Sequence, residues 1–178
     1  MTDWLTGTII ERRQWTDDLF SLRFEAPLAE FKAGQFVRIA LDIDGERVGR
    51  PYSLVNAPHE PFLEIYFNIV KGGPLSPRLA ALEPGATLWL SNTANGFMIL
   101  DEIPEARYLW LLATGTGIGP FLSILKVNCT ASPPGGPLPS ALLKWAARNS
   151  NCSSPLRANR RLRNLWTKPV RDSTISAF

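Results

Sequence analysis

The sequence predicts a mainly β protein: a small closed or nearly closed antiparallel barrel, then the first β-α unit of an incomplete α/β domain. Three observations predict it. Roughly six short strand-like runs fall within residues 1–100, joined by Gly- and Pro-bearing turns. A continuous apolar run, Arg107 to Ala113, then enters a glycine-rich turn and a helical segment. After Leu125 no acidic residue occurs until Asp172, and the regular patterning stops as well.

Trp4 to Arg13 reads as the first strand, carried by β-branched content, because the adjacent Ile9-Ile10 pair spoils strict alternation. Phe20, Leu22 and Phe24 alternate with polar neighbours, as a half-buried strand should. Ala33-Gly34-Gln35 turns the chain into Phe36 to Leu41, and Asp44-Gly45 is a hairpin signal that sends it back through Val48 to Arg50. Asn56 to Pro61 is a loop, since its two prolines cannot join a ladder, and it holds the only histidine, His59, as an exposed bystander. Leu63 to Val70 and Ala86 to Ser91 complete the strands. One helix interrupts them: Ser76 suits its cap, Pro77 its first position, and Pro84-Gly85 stops it.

Three stretches carry chemistry. Arg50-Pro51-Tyr52-Ser53 sets a guanidinium fork, a flat phenol and a hydroxyl within four residues between two strand-like runs. The fork matches a phosphate or carboxylate, and the ring offers a face with a polar tip. Arg50 and Tyr52 should share a face by strand alternation, with Ser53 reaching the site through a bend at the strand edge. The same residues also suit a surface arginine, a barrel-filling tyrosine and a turn serine. The Ser76 helix start, beside Gly72-Gly73, leaves N–H groups suited to an anion, or is simply a well-capped helix. Thr114 to Pro120 is a glycine turn between strand and helix, which is the context of phosphate binding, yet it has neither Rossmann nor P-loop spacing.

Arg50-Pro51-Tyr52-Ser53 resembles the Arg-x-Tyr-Ser flavin motif of the ferredoxin–NADP reductase family, and residues 1–125 look like its compact bacterial branch. Gly115, Thr116, Gly117 and Pro120 resemble the Gly-Thr-Gly-x-x-Pro motif that opens the family's NADP domain. The resemblance implies a six-stranded Greek-key barrel that binds FAD. It places Arg50 at the diphosphate with Pro74, Leu75 and Ser76. Tyr52 covers the isoalloxazine ring, Ser53 lies near its reactive N5, and these two are the catalytic candidates. Tyr66, Phe67 and Asn68 back the flavin and ribityl chain, and Thr116 stands beside the flavin in relatives. Pro51 completes the motif. NADP(H) is the implied co-substrate, and ferredoxin or flavodoxin the implied partner. Lys71-Gly72-Gly73 departs from the more acidic loop of the family.

The net charge of +3 hides two unlike halves, −5 over residues 1–125 and +8 over 126–178. A nucleic-acid function argued from the whole-chain charge would therefore rest on an average that describes neither half. The start lacks the charge and apolar run of a signal peptide or membrane anchor. Cys129 and Cys152 make no disulfide framework, and no metal-ligand spacing occurs. The expectation is a cytoplasmic monomer, with no nucleic acid and no membrane among its partners.

The domains expected are a FAD-binding barrel over 1–100, the start of an NADP-binding unit over 101–125, and a non-homologous basic tail over 126–178, largely without regular structure. The tail begins with a breaker-rich run, leaves room for a short helix from Ala141 to Arg148, gathers Arg157, Arg160, Arg161 and Arg163, and ends at Phe178 without the family's pattern. Its composition is that of a truncated or frameshifted reading. The function expected by descent is hydride transfer between NADP(H) and FAD with electron transfer to or from ferredoxin or flavodoxin. The alternative is a catalytically impaired FAD-binding module.

Overall fold

The computed structural model describes residues 3–104 and 109–130. Its frame is one curled antiparallel sheet built from β1 (Trp4–Gln14), β2 (Leu19–Glu25), β3 (Phe36–Ile43), β4 (Glu46–Ser53), β5 (Leu63–Asn68) and β6 (Thr87–Ser91). A short helix α1 (Ser76–Ala80) lies between β5 and β6, and a helix α2 (Gly119–Thr130) comes after the barrel strands. The strand order is β4-β3-β6-β1-β2-β5. The two edges meet at the bridge between Leu54 and Ile65, just past β4. Counting that contact, β3, β4 and β5 are neighbours in sequence and β6 returns to lie beside β3, which is the Greek-key arrangement.

Local chemistry explains the register. Asp44 and Gly45 both take positive φ, 51° and 84°, as the two-residue hairpin between β3 and β4 demands. The Ile9-Ile10 irregularity is a β-bulge: Ile9 pairs with Phe24 and Glu11 with Arg23, so Ile10 has no opposite residue. Ile9 is buried while Ile10 is 41% exposed, so the extra residue keeps both apolar neighbours from needing the same face. Pro51 is tolerated because β4 is the terminal strand of the sheet, with only β3 beside it.

The interior is filled by Leu22, Phe24, Val37, Ile39, Leu54, Ile65, Leu88 and Leu90, and Leu75, Leu79 and Ala80 from α1 pack against them as a plug. Arg12 holds the plug by donating to the carbonyl of Ala80 at 3.2 Å. On the outer surface Arg47 stacks 3.9 Å from the Trp89 ring centroid, pairs with Asp42 and lies 5.8 Å from the Trp4 ring. The hydrogen bond from Arg47 holds the Asp42 carboxyl below its usual range. This stack clips the β3–β4 hairpin to β1 and β6.

Four details differ from the sequence reading. β4 runs through Arg50, Pro51 and Tyr52 to Ser53, so the motif is strand and not an interval between strands. Ser76 is the first helical residue, not the cap; Leu75 occupies that position, and no side chain bonds the helix start. Residues 109–114 carry no strand ladder, since a strand needs a neighbour and no parallel partner lies among the described residues. Finally, α2 continues through Lys126 to Thr130, because the helix-breaking prolines begin only at Pro133. The expected helix at 141–148, the arginine cluster, Phe178 and the structureless tail lie outside the described residues.

Gly34 ties the barrel to the Met98 loop and to α2. Its φ is +99°, and a Cβ there would stand 1.8 Å from the Met98 carbonyl oxygen and 3.2 Å from Cδ1 of Ile124. At Gly45 the φ is also positive, but nothing lies within 4 Å. Gly45→Ala should therefore lose only the backbone term, about 1–2 kcal/mol, whereas Gly34→Ala must also displace the Met98 backbone. Chemical denaturation is expected to place Gly34→Ala well below Gly45→Ala, and equal midpoints would mean that the close approach at Met98 relaxes freely.

Candidate functional site

Strand parity divides the Arg-Tyr-Ser motif between two faces. Arg50 and Tyr52 pair with Ile39 and Val37, both fully buried, so they share the inner face of the sheet at its open edge. The expected shared face is therefore present. Ser53 pairs with Phe36 and belongs to the opposite face.

On the inner side, Tyr52 is half-buried and meets Phe67 edge-to-face, with centroids 5.9 Å apart and planes at 76°. Phe67 in turn stacks on Phe20 at 6.1 Å. Phe67 is buried, so β5 presents only its backbone to a ligand at that position. Arg50 is exposed; its Nη1 donates to the Gly49 carbonyl at 2.8 Å, and no carboxylate among the described residues pairs with it. A guanidinium held at the rim without a counter-charge suits an incoming anion.

On the other side, Ser53 lies beside Gly119, the first residue of α2. Gly115–Ile118 forms a 3-10 turn directly before α2. A Cβ added at Gly119 would lie 3.4 Å from Cγ2 of Val55 and 3.9 Å from Cβ of Ser53. The fold thus brings Ser53 beside Gly119, which joins the turn of Gly115, Thr116 and Gly117 to Pro120 in α2, some sixty positions away in sequence. Gly115 has a positive φ of 55°, and both Gly115 and Gly117 have open space where a side chain would stand. The backbone of the turn is therefore accessible at close range.

The remaining candidates are more dispersed. Tyr66 is half-buried and packs edge-to-face with Trp15 at 6.3 Å, while Trp15 donates its indole N–H to Ser21 at 3.1 Å. Asn68 is exposed at the end of β5. Pro74 is exposed, and its carbonyl accepts from Arg78 at 2.7 Å. Leu75 is a core residue and offers only its backbone. Ser76 is buried, and its hydroxyl oxygen accepts from the Val70 N–H at 2.8 Å, which leaves its O–H to donate elsewhere. His59 lies exposed in the 57–62 loop, as expected of a bystander.

Three polar residues in the site's frame escaped the sequence reading. Asn56 is fully buried, and its Oδ1 accepts from the Glu64 N–H at 2.9 Å. Glu64 is buried as well, 3.2 Å from Nε of Arg23 and 3.7 Å from Nζ of Lys126. Asn56 stands three residues past Ser53, and an amide so close to a motif was the available signal. For Glu64 and Lys126 there was none, since only the fold joins them. Among the described residues no group of His, Cys, Asp and Glu is placed to hold a metal, and no helix is long and apolar enough to cross a membrane.

The family model described as Oxidoreductase FAD-binding domain matches residues 7–96. The chain belongs to that family. It is 54% identical over 128 residues to the flavodoxin/ferredoxin–NADP reductase of Escherichia coli, covering 72% of this chain and 52% of the relative. It is 37% identical over 127 residues to the ferredoxin–NADP reductase of Pseudomonas aeruginosa, covering 71% of this chain and 49% of that one. Among solved structures, a ferredoxin NADP+ reductase from Neisseria gonorrhoeae with bound FAD and NADP superposes with a TM-score of 0.71 at 28% identity, covering 82% of this chain and 58% of that one. The chain thus spans about half the length of the curated relatives it matches. The matched residues 7–96 all lie within the described residues and take in β2 to β6.

Burial raises the Tyr52 phenol above its ordinary value of 10.0, with Arg50 offsetting part of the rise. Unfolded tyrosine ionises first, so the fold loses stability as pH climbs from about 10 towards the raised value, and below that window the phenol contributes no pH dependence. Tyr52→Phe should flatten the loss of stability in this alkaline range relative to the unaltered chain. Parallel curves above pH 10 would show that Tyr52 is not the group that resists ionisation.

Proposed function

We propose that this chain binds FAD and acts within a ferredoxin/flavodoxin–NADP+ reductase, passing hydride between NADP(H) and FAD and electrons to or from ferredoxin or flavodoxin. The approach of Gly119, the residue after the glycine turn, to Ser53 supports this reading, because it sets the candidate cofactor group near the candidate nucleotide-binding turn. Bound FAD supplies the exchange between two-electron and one-electron chemistry, and the protein supplies placement and electrostatics.

The residues present fit that group. Arg50, uncommitted to any carboxylate among the described residues, meets the diphosphate together with the backbone of Pro74 and Leu75 and the O–H of Ser76. Tyr52 covers the ring from its half-buried position against Phe67, and Ser53 places a hydroxyl at the ring's reactive edge. Tyr66, Asn68 and the backbone of Phe67 line the other wall. Gly115, Thr116, Gly117 and Pro120 form the turn that presents the nicotinamide nucleotide. Pro51 fixes the strand between Arg50 and Tyr52.

In the same reading, residues 1–100 are the FAD-binding domain, and 101–125 begin the NADP-binding unit. The basic stretch 126–178 is a tail of different origin, a view supported by the charge contrast between the two parts. The protein works as a cytoplasmic monomer. A second reading, a FAD module with poor turnover, is favoured by the segment 109–114, which joins no strand ladder among the described residues and leaves Leu112 71% exposed. A nucleotide site needs many groups acting together, and one turn supplies few of them.

Two measurements test these readings. Arg50→Ala should weaken FAD binding by about 1.5–3 kcal/mol, the range for hydrogen bonds to charged groups, and unchanged affinity in a flavin titration would remove Arg50 from the diphosphate site. With FAD bound, NADPH-dependent dye reduction separates enzyme from module. Turnover of order 1–10³ per second, typical of enzymes, supports the reductase, and a flavin-loaded chain without NADPH oxidation supports the module.

A further inference from the structure

α2 continues from the glycine turn without a break, so whatever fixes the helix also fixes the turn. Two attachments do this. Ser123 is fully buried, and its hydroxyl donates to the Asn56 carbonyl at 2.6 Å. A serine inside a helix commonly bonds a carbonyl of its own preceding turn; this one reaches across to another element. One turn on, Nζ of Lys126 lies 3.3 Å from Oε2 of Glu60 and 3.7 Å from Oε2 of Glu64. Ser123 and Lys126, three apart, share a helix face.

Both attachments grip the same short stretch, the one that leaves the Arg-Tyr-Ser strand. Asn56 is anchored in turn: its Oδ1 accepts from the Glu64 N–H at 2.9 Å, and its Nδ2 donates to the Ala57 carbonyl at 3.1 Å. Glu60 accepts from the Ala57 N–H at 2.5 Å. The segment from Ser53 to Glu64 is thus tied down at the points where the helix holds it, and a Cβ added at Gly119 would come into ordinary contact with Val55 and Ser53, which places the start of α2 beside them.

We propose that Ser123, seated on Asn56, is a positioning residue that sets the distance between the glycine turn and Ser53, and so the way a nicotinamide nucleotide on the turn meets the flavin. The inference rests on the FAD and NADP(H) reading above. Lys126, through Glu60 and Glu64, steadies the same spacing from one helical turn further along. Neither side chain needs to touch a ligand.

The test uses the full chain loaded with FAD, in three variants: Ser123→Ala, Lys126→Met and Leu122→Ala. Leu122 is half-buried on the same helix, so its truncation destabilises α2 while leaving the Asn56 attachment intact. Ser123→Ala should keep its FAD affinity within about threefold, because distant contacts act independently. It should nevertheless change the visible circular dichroism of the bound flavin and weaken the NADP+-induced difference spectrum by about tenfold, the scale of a small misplacement. Leu122→Ala should lower the melting temperature with an unaltered flavin spectrum, and Lys126→Met should shift the spectrum in the direction of Ser123→Ala. A Ser123→Ala flavin spectrum superimposable on that of the unaltered chain overturns the proposal, as does an equal shift in Leu122→Ala. If Ser123→Ala does not fold, an unchanged spectrum in Lys126→Met overturns it. Failure of the unaltered chain to bind FAD sinks the functional reading and this inference together, whereas failure confined to the variants' spectra sinks only the inference.

Discussion

At Leu54 the chain changes partners, and the geometry of the site depends on that change. The Leu54 N–H still bonds to the Gln35 carbonyl on the β3 side, at 3.0 Å, while the very next N–H, that of Val55, bonds to Glu64 on the β5 side at 2.9 Å. One residue thus carries the chain from one edge of the sheet to the other and closes the curl at this end. Buried backbone groups must find partners, so the crossing is tolerated only where both edges stand within reach. Leu54 itself is fully buried and fills the seam. The motif ends one residue earlier, where an edge strand is still open on one side, which is why a proline fits within it and why its polar side chains reach solvent.

The seam is backed from outside. Gly34 lets the Met98 carbonyl approach the turn before β3, and the Met98 loop brings the buried Ile99 towards the same corner where Ile124 of α2 is seated. Barrel, connecting loop and helix therefore meet around residues 34, 98 and 124, on the far side of β3 from the core. A helix packed in this way does not need the neighbours of a full parallel sheet to hold its first turn in place. It gains its position from one buried serine hydroxyl, from Phe121 and Ile124, and from a lysine between two carboxylates. Before it, Leu111 is buried while Trp110 and Leu112 stay exposed.

How much of this was legible in the sequence depends on the range of the forces involved. The strands, the Asp44-Gly45 hairpin and the proline-rich loop were legible because alternation and turn chemistry act over two to six residues. The bulge at Ile10 was legible only as an irregularity, since its meaning depends on the pairing with β2. The cap at Ser76 was misread because a serine before proline satisfies the local rule, whereas its hydroxyl is taken by Val70 across the loop. The apolar run near residue 110 was read as a strand from composition alone, which cannot say whether a partner strand exists. Arg50, Tyr52 and Ser53 were found as a motif, but their division between two faces needed the register with β3. Asn56, Glu64 and Lys126 join only in three dimensions.

That division between faces is what a planar, charged cofactor requires. A ligand gripped from one face of a flat sheet would meet residues two apart, at positions such as 50 and 52, and never their neighbours. At the end of a strand the rule relaxes, because the next residue is no longer held in the ladder. Ser53 sits at that limit, its side chain turned towards α2 while Tyr52 leans on Phe67. The partner switch at Leu54 fixes the limit, and Asn56 binds it to the helix that carries the glycine turn. The hydroxyl at position 53 is therefore placed less by its own strand than by the three residues after it. Those residues determine where the strand carrying Arg50, Tyr52 and Ser53 ends and which element it meets there.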